Sequence, residues 1–468
     1  MDSPKVYVNR TLNLRKIRYL GFDMDHTLVR YDSRAFEGKM HDIVLEKLAA
    51  AGYPSEVKQL PFEYDLAIRG LVMDKQMGNL LKVSRHGSIR GAFHGLSPLD
   101  FALQKKTYGS TYIDLRDQRF SSIDTAFSIS LANLFMQLVQ LKDSPGGPPL
   151  PDYATLFADI MNAVDAAHRD GSIKSEVRRD LARYVIKDEA LVASLERYRK
   201  HDKKLFVLTN SDFHYTKLLL DYAINPFLKE HKDWSELFEL VVVSAQKPGF
   251  FTGKQNFLKV NPADGSMTNV DRELPPGIYQ GGCARTFTDV LDLDGDDILY
   301  IGDHIYGDIV RLKKDCAWRT AMVLEDLAEE IDKYKTVAPI QRKINHLMLE
   351  KQPLEDENVR LVSERIETGS STRDAHITEL QAKVSALDHR IGDLIREHQA
   401  HFNKYWGEVM RAGNEESYFA NQVERFACIY VAKLGDLLES SPRTYFRAPR
   451  LPMAHEIQTG QVSMSFGT

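Results

Sequence analysis

Residues 18–30 read RYLGFDMDHTLVR, and the fold is decided where this stretch changes character. Tyr19 to Phe22 form a short apolar run that suits a buried strand, and the run stops abruptly at Asp23-Met24-Asp25-His26-Thr27. While the chain stays extended, side chains at i and i+2 point the same way, so Asp23 and Asp25 can face one pocket beyond the strand's carboxyl end. An isolated Asp-x-Asp is more often a turn or a helix cap. Three further elements in a fixed order change that reading. Leu205 to Asp212, LFVLTNSD, is a second apolar run, ending in a hydroxyl and an amide. Lys247 follows the run Leu240 to Val243, within SAQKPGFF. Ile298 to Asp308, ILYIGDHIYGD, ends in Asp303 and carries Asp308 five residues on.

The totals bound what these elements belong to. A chain of 468 residues is too long for one small core, so two or three lobes are expected. Hydrophobic content of 43% with 27% charged residues describes a soluble globular protein. The net charge of −5 gives no electrostatic footprint for nucleic acid. Cys283, Cys316 and Cys428 lie far apart and form no CxxC pair, which argues against a disulfide framework or a structural zinc site. The amino terminus lacks an apolar signal segment, and no uninterrupted apolar run is long enough to span a bilayer. A cytoplasmic protein without membrane partners is the expectation.

About 180 residues separate Thr27 from Thr209, a domain's worth of chain. This insert opens β-rich around 69–90, where LVMDK and NLLKVS flank a turn at Gln76-Met77-Gly78-Asn79. Helix is expected from Ile123 to about Leu141, then a loop, SPGGPPLPD, then helix through Tyr153 to Arg199. The core resumes at Lys204, with strands near 205–208, 240–243, 298–301 and 320–323 separated by helix-length segments. FLKVNPADGSMTNV, 257–270, reads as a hairpin around Pro-Ala-Asp-Gly. Farther on, Ile377, Leu380, Val384, Leu387, Ile391 and Leu394 keep a 3, 4 spacing, a heptad seam. Ile344, Leu347, Leu354 and Leu361 supply a less regular partner segment, and Thr368-Gly369-Ser370-Ser371 can turn the chain between them. The predicted fold is α/β: a doubly wound, mostly parallel, Rossmann-like core with an inserted α+β cap and a helical, coiled-coil-like hairpin. Its divisions are 1–35 for the first core strand and loop, 36–200 for the cap, 201–330 for the remaining core, 331–400 for the hairpin, and 401–468 for a C-terminal helical segment packing on the core.

GFDMDHTL, RGLVMDKQMGNLLKV, ARYVIKD, LTNSD, QKPGFF, DILYIGDHIYGDI and YFRA together resemble the cytosolic purine 5'-nucleotidase family of the haloacid-dehalogenase-like superfamily. The resemblance runs from about Tyr7 to Leu324 and resumes near Arg411. It implies a Mg²⁺-dependent phosphatase for purine nucleoside 5'-monophosphates such as IMP and GMP. Attack on a phosphate monoester brings anion towards anion, so the site must neutralise charge, align a nucleophile and protonate the leaving group. Asp23 is expected as the nucleophile that forms an aspartyl-phosphate, and Asp25 as general acid, then base. Asp303 is expected as a direct Mg²⁺ ligand beside Asp23 and the backbone carbonyl of Asp25, with Asp308 holding a ligand water or supporting the site. Thr209 and Asn210 are expected to donate to phosphate oxygens, and Lys247 to supply fixed positive charge. In the cap, Phe127 matches the aromatic that stacks on the base, while Asp165 and Lys174 match base-contacting positions. Met161 departs from the family, which has arginine there.

The resemblance also implies a homo-oligomer and raises an activating nucleotide site near Tyr306 and Lys314, although DLRDQRFSSID does not match the family's effector segment well. The ending QVSMSFGT, without a long acidic tail, is more in keeping with a bacterial member. A covalent intermediate makes transfer to a second nucleoside chemically possible. Two alternatives stand beside this reading: a phosphatase of the same core for another small phosphate monoester, and a non-catalytic protein whose hairpin binds a partner.

Overall fold

The computed structural model describes residues 5–109, 111–270, 273–453 and 455–456. The QVSMSFGT ending and the rest of 457–468 lie outside them. Ten strands form the central sheet in the order Val6–Val8, Ile429–Val431, Arg319–Val323, Ile298–Gly302, Tyr19–Phe22, Lys204–Leu208, Leu240–Val243, Gly277–Gly281, Phe257–Val260, Met267–Asn269. The seven from Ile429–Val431 through Gly277–Gly281 run parallel, and the strands at the two edges are antiparallel. The protein is therefore α/β with a doubly wound sheet. Tyr19–Phe22, Ile298–Gly302 and Leu240–Val243 are buried throughout, as strands covered on both faces must be.

Register fixes where the chemistry emerges. Phe22 lies opposite Ile301 on one side and Val207 on the other, so Asp23 and the residues after Gly302 and Leu208 leave the sheet along one edge. From Tyr19–Phe22 the chain goes first to the Lys204 side and later to the Ile298 side. The first strand thus stands at a topological switch point, where α/β sheets open a crevice at their carboxyl ends. Two glycines make the packing there possible. A Cβ on Gly21 would lie 2.2 Å from the Phe206 ring, and one on Gly302 would lie 2.5 Å from Asp308 Oδ2.

The insert builds a second sheet, in the order Ser97–Pro98, Ile89–His94, Asn79–Val83, Val72–Asp74, Phe120–Ser122. Its central hairpin pairs Val72 with Leu81 and Asp74 with Asn79 around the expected turn. The helices Ser33–Ala50, Ile129–Asp143 and Tyr153–Arg169 pack on one another. Asp152, at the end of the Pro/Gly loop, caps the last of these by accepting the Thr155 N–H. The expected helix from Ile123 begins only at Ile129, and a 3₁₀ turn, Ala126–Ser128, carries Phe127. The stretch expected to be helical to Arg199 is interrupted by Val185–Ile186, a short strand that pairs with Arg30–Tyr31.

The sequence 257–270 forms the antiparallel hairpin, with Val260 opposite Met267, and extends the central sheet. Asp326–Thr368 and Asp374–Gln399 fold back on each other, with Gly369 taking the left-handed φ of +69° that ends the first helix. Ile344 and Leu347 pack with Leu387 and Ile391, and Leu361 packs with Ile377 and Leu380. The seam is thus filled from within the chain. The segment after 401 differs from its helical expectation. It contains the helices Tyr418–Phe426 and Leu434–Leu438, but Ile429–Val431 enters the central sheet between Arg319–Val323 and Val6–Val8. CIYVA is apolar enough for a buried strand, yet its three paired residues are too few to show a period.

The close approaches at the two glycines yield a first prediction. Gly21→Ala and Gly302→Ala should each destabilise the fold by about 1–3 kcal/mol through overpacking, read as a lower urea midpoint. An unchanged midpoint for both would contradict the packing described. Gly302→Ala should also displace Asp308 and reduce turnover, whereas Gly21→Ala should act on stability alone.

Candidate active site

Four strand ends of the central sheet converge on a cavity of about 650 Å³. Asp23 sits at its floor, where the Met24 N–H donates to Oδ1 at 2.7 Å. The loop then turns sharply: His26 takes φ +56°, and the Leu28 N–H returns to the Asp23 carbonyl at 3.2 Å. Asp25 faces the same cavity. Its Oδ1 accepts the Tyr31 hydroxyl at 2.6 Å and its Oδ2 accepts the Ser211 hydroxyl at 3.0 Å, so both oxygens are oriented.

Lys247 ties the third motif to the first and fourth. Its Nζ lies 2.7 Å from Asp23 Oδ1 and 2.7 Å from Asp308 Oδ1, and donates to the Tyr300 hydroxyl at 3.0 Å. Burial opposes charge on this ammonium, but Asp23 and Asp308 hold it well above its ordinary pKa. Asp308 lies in a π-helical turn, Ile305–Val310, where its Oδ2 accepts the His304 N–H at 3.3 Å. Such turns are rare and frequent at functional sites. Asp303, almost fully buried, accepts the Thr125 hydroxyl at 3.3 Å.

Burial pushes the Asp23 carboxyl well above the usual carboxylate range; Lys247 opposes this, and Asp308, Asp303 and Asp25 push it further up. Burial also raises Asp303, against the pull of His26 and Arg69. The four carboxylates thus exceed what Lys247 alone can neutralise. Oxygens of Asp23, Asp303 and Asp308 lie within 4.8 Å of one another, an all-oxygen donor set that fits a hard divalent cation.

Other expected residues are placed less simply. Thr209 is fully buried and its hydroxyl accepts the Ser211 N–H at 3.0 Å. It does not line the cavity; Ser211 does, two residues on. Asn210 lines the cavity, but its amide bridges the backbone of Lys247, accepting the N–H at 2.6 Å and donating to the carbonyl at 3.0 Å. It therefore fastens the lysine loop. Phe127 lines the wall, edge-on to His26 with ring centroids 4.4 Å apart. Lys174 also lines it, paired with Asp212 at 2.5 Å.

Asp165 is exposed and outside the cavity lining, as is Met161; both share the helix face of His168 and Arg169 but lie about one and two turns back along Tyr153–Arg169. The last turn of that helix presents His168 and Arg169 instead. Tyr306 lines the cavity, while Lys314 lies over the Phe426 ring.

Sequence reading also missed Tyr31, Ser211, Thr125 and His26. Ser211 was visible as the second hydroxyl of LTNSD; Tyr31 and Thr125 carried no local signal. His26 is fully buried, with Nδ1 3.3 Å from Glu325 Oε2. Burial opposes its charge, but Glu325 pushes the imidazole up to about 9. Among the described residues no helix is long and apolar enough to cross a membrane.

Compared with known proteins, the chain matches the profile of the 5' nucleotidase family over residues 6–458. It is 27% identical over 475 residues to 5'-nucleotidase domain-containing protein 2 of Homo sapiens, covering 97% of this chain and 86% of that protein. It is 26% identical over 478 residues to a 5'-nucleotidase domain-containing protein of Dictyostelium discoideum, covering 98% of this chain and 76% of that one. Among solved structures it is similar to L-2-haloacid dehalogenase from Xanthobacter autotrophicus with chloropropionic acid covalently bound. That likeness has a TM-score of 0.22 and 12% identity over 66% of this chain and 78% of the other, too small an overlap to carry an argument. The family match spans every carboxylate of the cavity floor: the chain belongs to the 5' nucleotidase family and is a phosphoric monoester hydrolase.

Proposed function

We propose that the protein is a Mg²⁺-dependent 5'-nucleotidase acting on purine nucleoside 5'-monophosphates through an aspartyl-phosphate on Asp23. The observation that carries this reading is the Asp23–Lys247–Asp308 contact, both arms at 2.7 Å, beside Asp303 and at the floor of a cavity of about 650 Å³. An Asp23 oxygen attacks phosphorus as the bond to the nucleoside 5'-oxygen breaks, and that oxygen takes a proton from Asp25. Asp25 then removes a proton from water, whose oxygen attacks phosphorus and releases Asp23. Tyr31 and Ser211 hold Asp25 for both transfers. Lys247 stabilises ionised Asp23 and faces the anionic group as it arrives.

Asp23, Asp303 and Asp308, with the backbone carbonyl of Asp25, would hold Mg²⁺. When bound, it supplies positive charge that lets an anionic nucleophile meet an anionic phosphate. Asn210 acts by fixing the lysine loop, and Thr209 by fixing Ser211. Phe127 offers a ring for stacking on the base, which selects aromatic bases but does not distinguish them.

A second reading, a phosphatase for another small phosphate monoester, is favoured by one observation: Asp165 and Met161 lie outside the cavity, so the expected base contact from that helix is missing. His168, Arg169 and Lys174 remain to read the distal part of the substrate. Transfer to a nucleoside acceptor needs only that its hydroxyl replace water in the second step.

Phosphate release from a panel of nucleoside monophosphates and sugar phosphates tests both readings. Release from IMP and GMP is expected with Mg²⁺ and none with EDTA; release confined to sugar phosphates would transfer the assignment to the second reading. Asp23→Asn should lower kcat by at least about 10³-fold and Asp25→Asn by about 10²–10⁴-fold, both with intact circular dichroism. Phe127→Ala should raise KM for purine nucleotides about 5–100-fold, the value of one stacked base, while leaving KM for ribose 5-phosphate unchanged. Equal effects on both substrates would remove Phe127 from base recognition.

A further inference from the structure

Two buried side chains outside the proposed chemistry, Arg69 and His26, run from the catalytic edge to a single place, the root of the helical hairpin. Arg69 is 2% exposed and stands just before the first strand of the inserted sheet. Its Nη1 donates to the main-chain carbonyl of Asp303 at 3.3 Å. Its Nε lies 3.0 Å from Asp326 Oδ2, a charge contact rather than an aligned hydrogen bond. His26, within the loop that carries Asp23 and Asp25, meets Glu325 Oε2 at 3.3 Å, and the same oxygen accepts the Ser33 hydroxyl at 2.9 Å. Glu325 and Asp326 are consecutive residues and open the 43-residue helix.

Acidic residues at a helix start have an ordinary explanation, since the helix dipole favours them there. That accounts for two acids, but not for the buried partner each one has from a different part of the chain. Burying a guanidinium against one carboxylate and one carbonyl gains little net stability, because desolvation offsets the attraction. What the arrangement does secure is position. Asp303 is gripped at its backbone by Arg69 and at its side chain by Thr125. The catalytic loop is gripped by His26, whose ring also packs edge-on against Phe127.

We propose that Glu325 and Asp326 form a clamp that positions the cation site: Asp326 fixes Asp303 through Arg69, and Glu325 fixes the Asp23–Thr27 loop through His26. This rests on the reading of Asp23 and Asp303 as cation ligands given above. It makes the root of the hairpin part of the catalytic machinery although no residue of the hairpin lines the cavity. Arg69, His26, Glu325 and Asp326 are positioning residues.

Residues that orient metal ligands change metal affinity by about 10–100-fold when lost. The test is Mg²⁺ binding to the full chain by isothermal titration calorimetry without substrate, alongside the Mg²⁺ dependence of phosphate release. Arg69→Met and Asp326→Asn are expected to weaken Mg²⁺ binding about 10-fold and to raise the Mg²⁺ needed for half-maximal release by the same factor. KM for nucleotide at saturating Mg²⁺ should stay at the wild-type value, and Arg69→Lys should recover part of the loss. Should Arg69→Met fail to fold, the partly exposed Asp326→Asn and Glu325→Gln, nearly equal in size to the originals, carry the test. Folded variants with the wild-type Mg²⁺ dissociation constant would overturn the clamp, whatever their turnover. A wild type that binds Mg²⁺ but releases phosphate from nothing would remove the nucleotidase reading, and calorimetry would still decide the clamp. A wild type that binds no Mg²⁺ would overturn the clamp together with the cation site.

Discussion

Four carboxylates, Asp23, Asp25, Asp303 and Asp308, point into one cavity at the carboxyl edge of a sheet, and the structure around them answers the repulsion this creates. Burial strengthens the repulsion, because charges removed from water are poorly screened. Lys247 answers it directly by touching two of the four. The parallel sheet answers it geometrically: register places the strand ends in one row, Gly302 leaves room for Asp308, and the π-helical turn aims it. The remaining oxygens of Asp23, Asp303 and Asp308 lie within 4.8 Å of one another, a donor set that fits a hard divalent cation. A site so arranged is poised to accept a dianionic phosphate only when positive charge is supplied, which is the physical reason for reading the cluster as a cation-dependent phosphatase centre.

At the catalytic edge the inserted lobe and the hairpin root each contribute buried polar contacts. From the insert come Phe127, Thr125 and Arg69, and from the hairpin root come Glu325 and Asp326. Most of the hairpin closes its apolar seam on itself and needs no second chain to be covered. The insert and the central sheet share one apolar core, in which Met40, Leu134 and Phe157 cluster with Phe22, Leu205 and Val241, and the polar contacts at the catalytic edge are added to that packing.

Much of this was legible in the sequence because parallel strands covered on both faces must be continuous apolar runs, and the runs Tyr19–Phe22, Lys204–Leu208, Leu240–Val243 and Ile298–Gly302 are each followed by polar residues that line the cavity. Asp23, Asp25 and Asp303 follow their strands closely enough for that rule to place them on one edge, whereas Asp308 and Lys247 were placed by the order of the motifs and the family resemblance. Contacts between distant segments were not legible. His26 and Glu325 lie 299 positions apart, and Arg69 and Asp303 lie 234 apart; neither pairing leaves a local trace. Asp165 lies outside the cavity lining for a different reason. Helical spacing says which residues share a face but not how far along the helix the cavity reaches, and here His168 and Arg169, about one turn on along the same face, meet it. Ser211, two residues after Thr209, lines the cavity, and nothing local in LTNSD distinguishes the hydroxyl that does so.

The central claim is that Asp23 carries the phosphoryl group. Its most direct test is to quench the enzyme with acid during steady turnover of IMP, reduce it with borohydride, and map the peptide containing residues 18–30 by mass spectrometry. An acyl-phosphate on Asp23 is reduced to the alcohol, so the account predicts homoserine at position 23, dependent on substrate and absent from Asp23→Asn. Unmodified Asp23 throughout turnover, with phosphate released at the full rate, would contradict it and assign the attack on phosphorus to water.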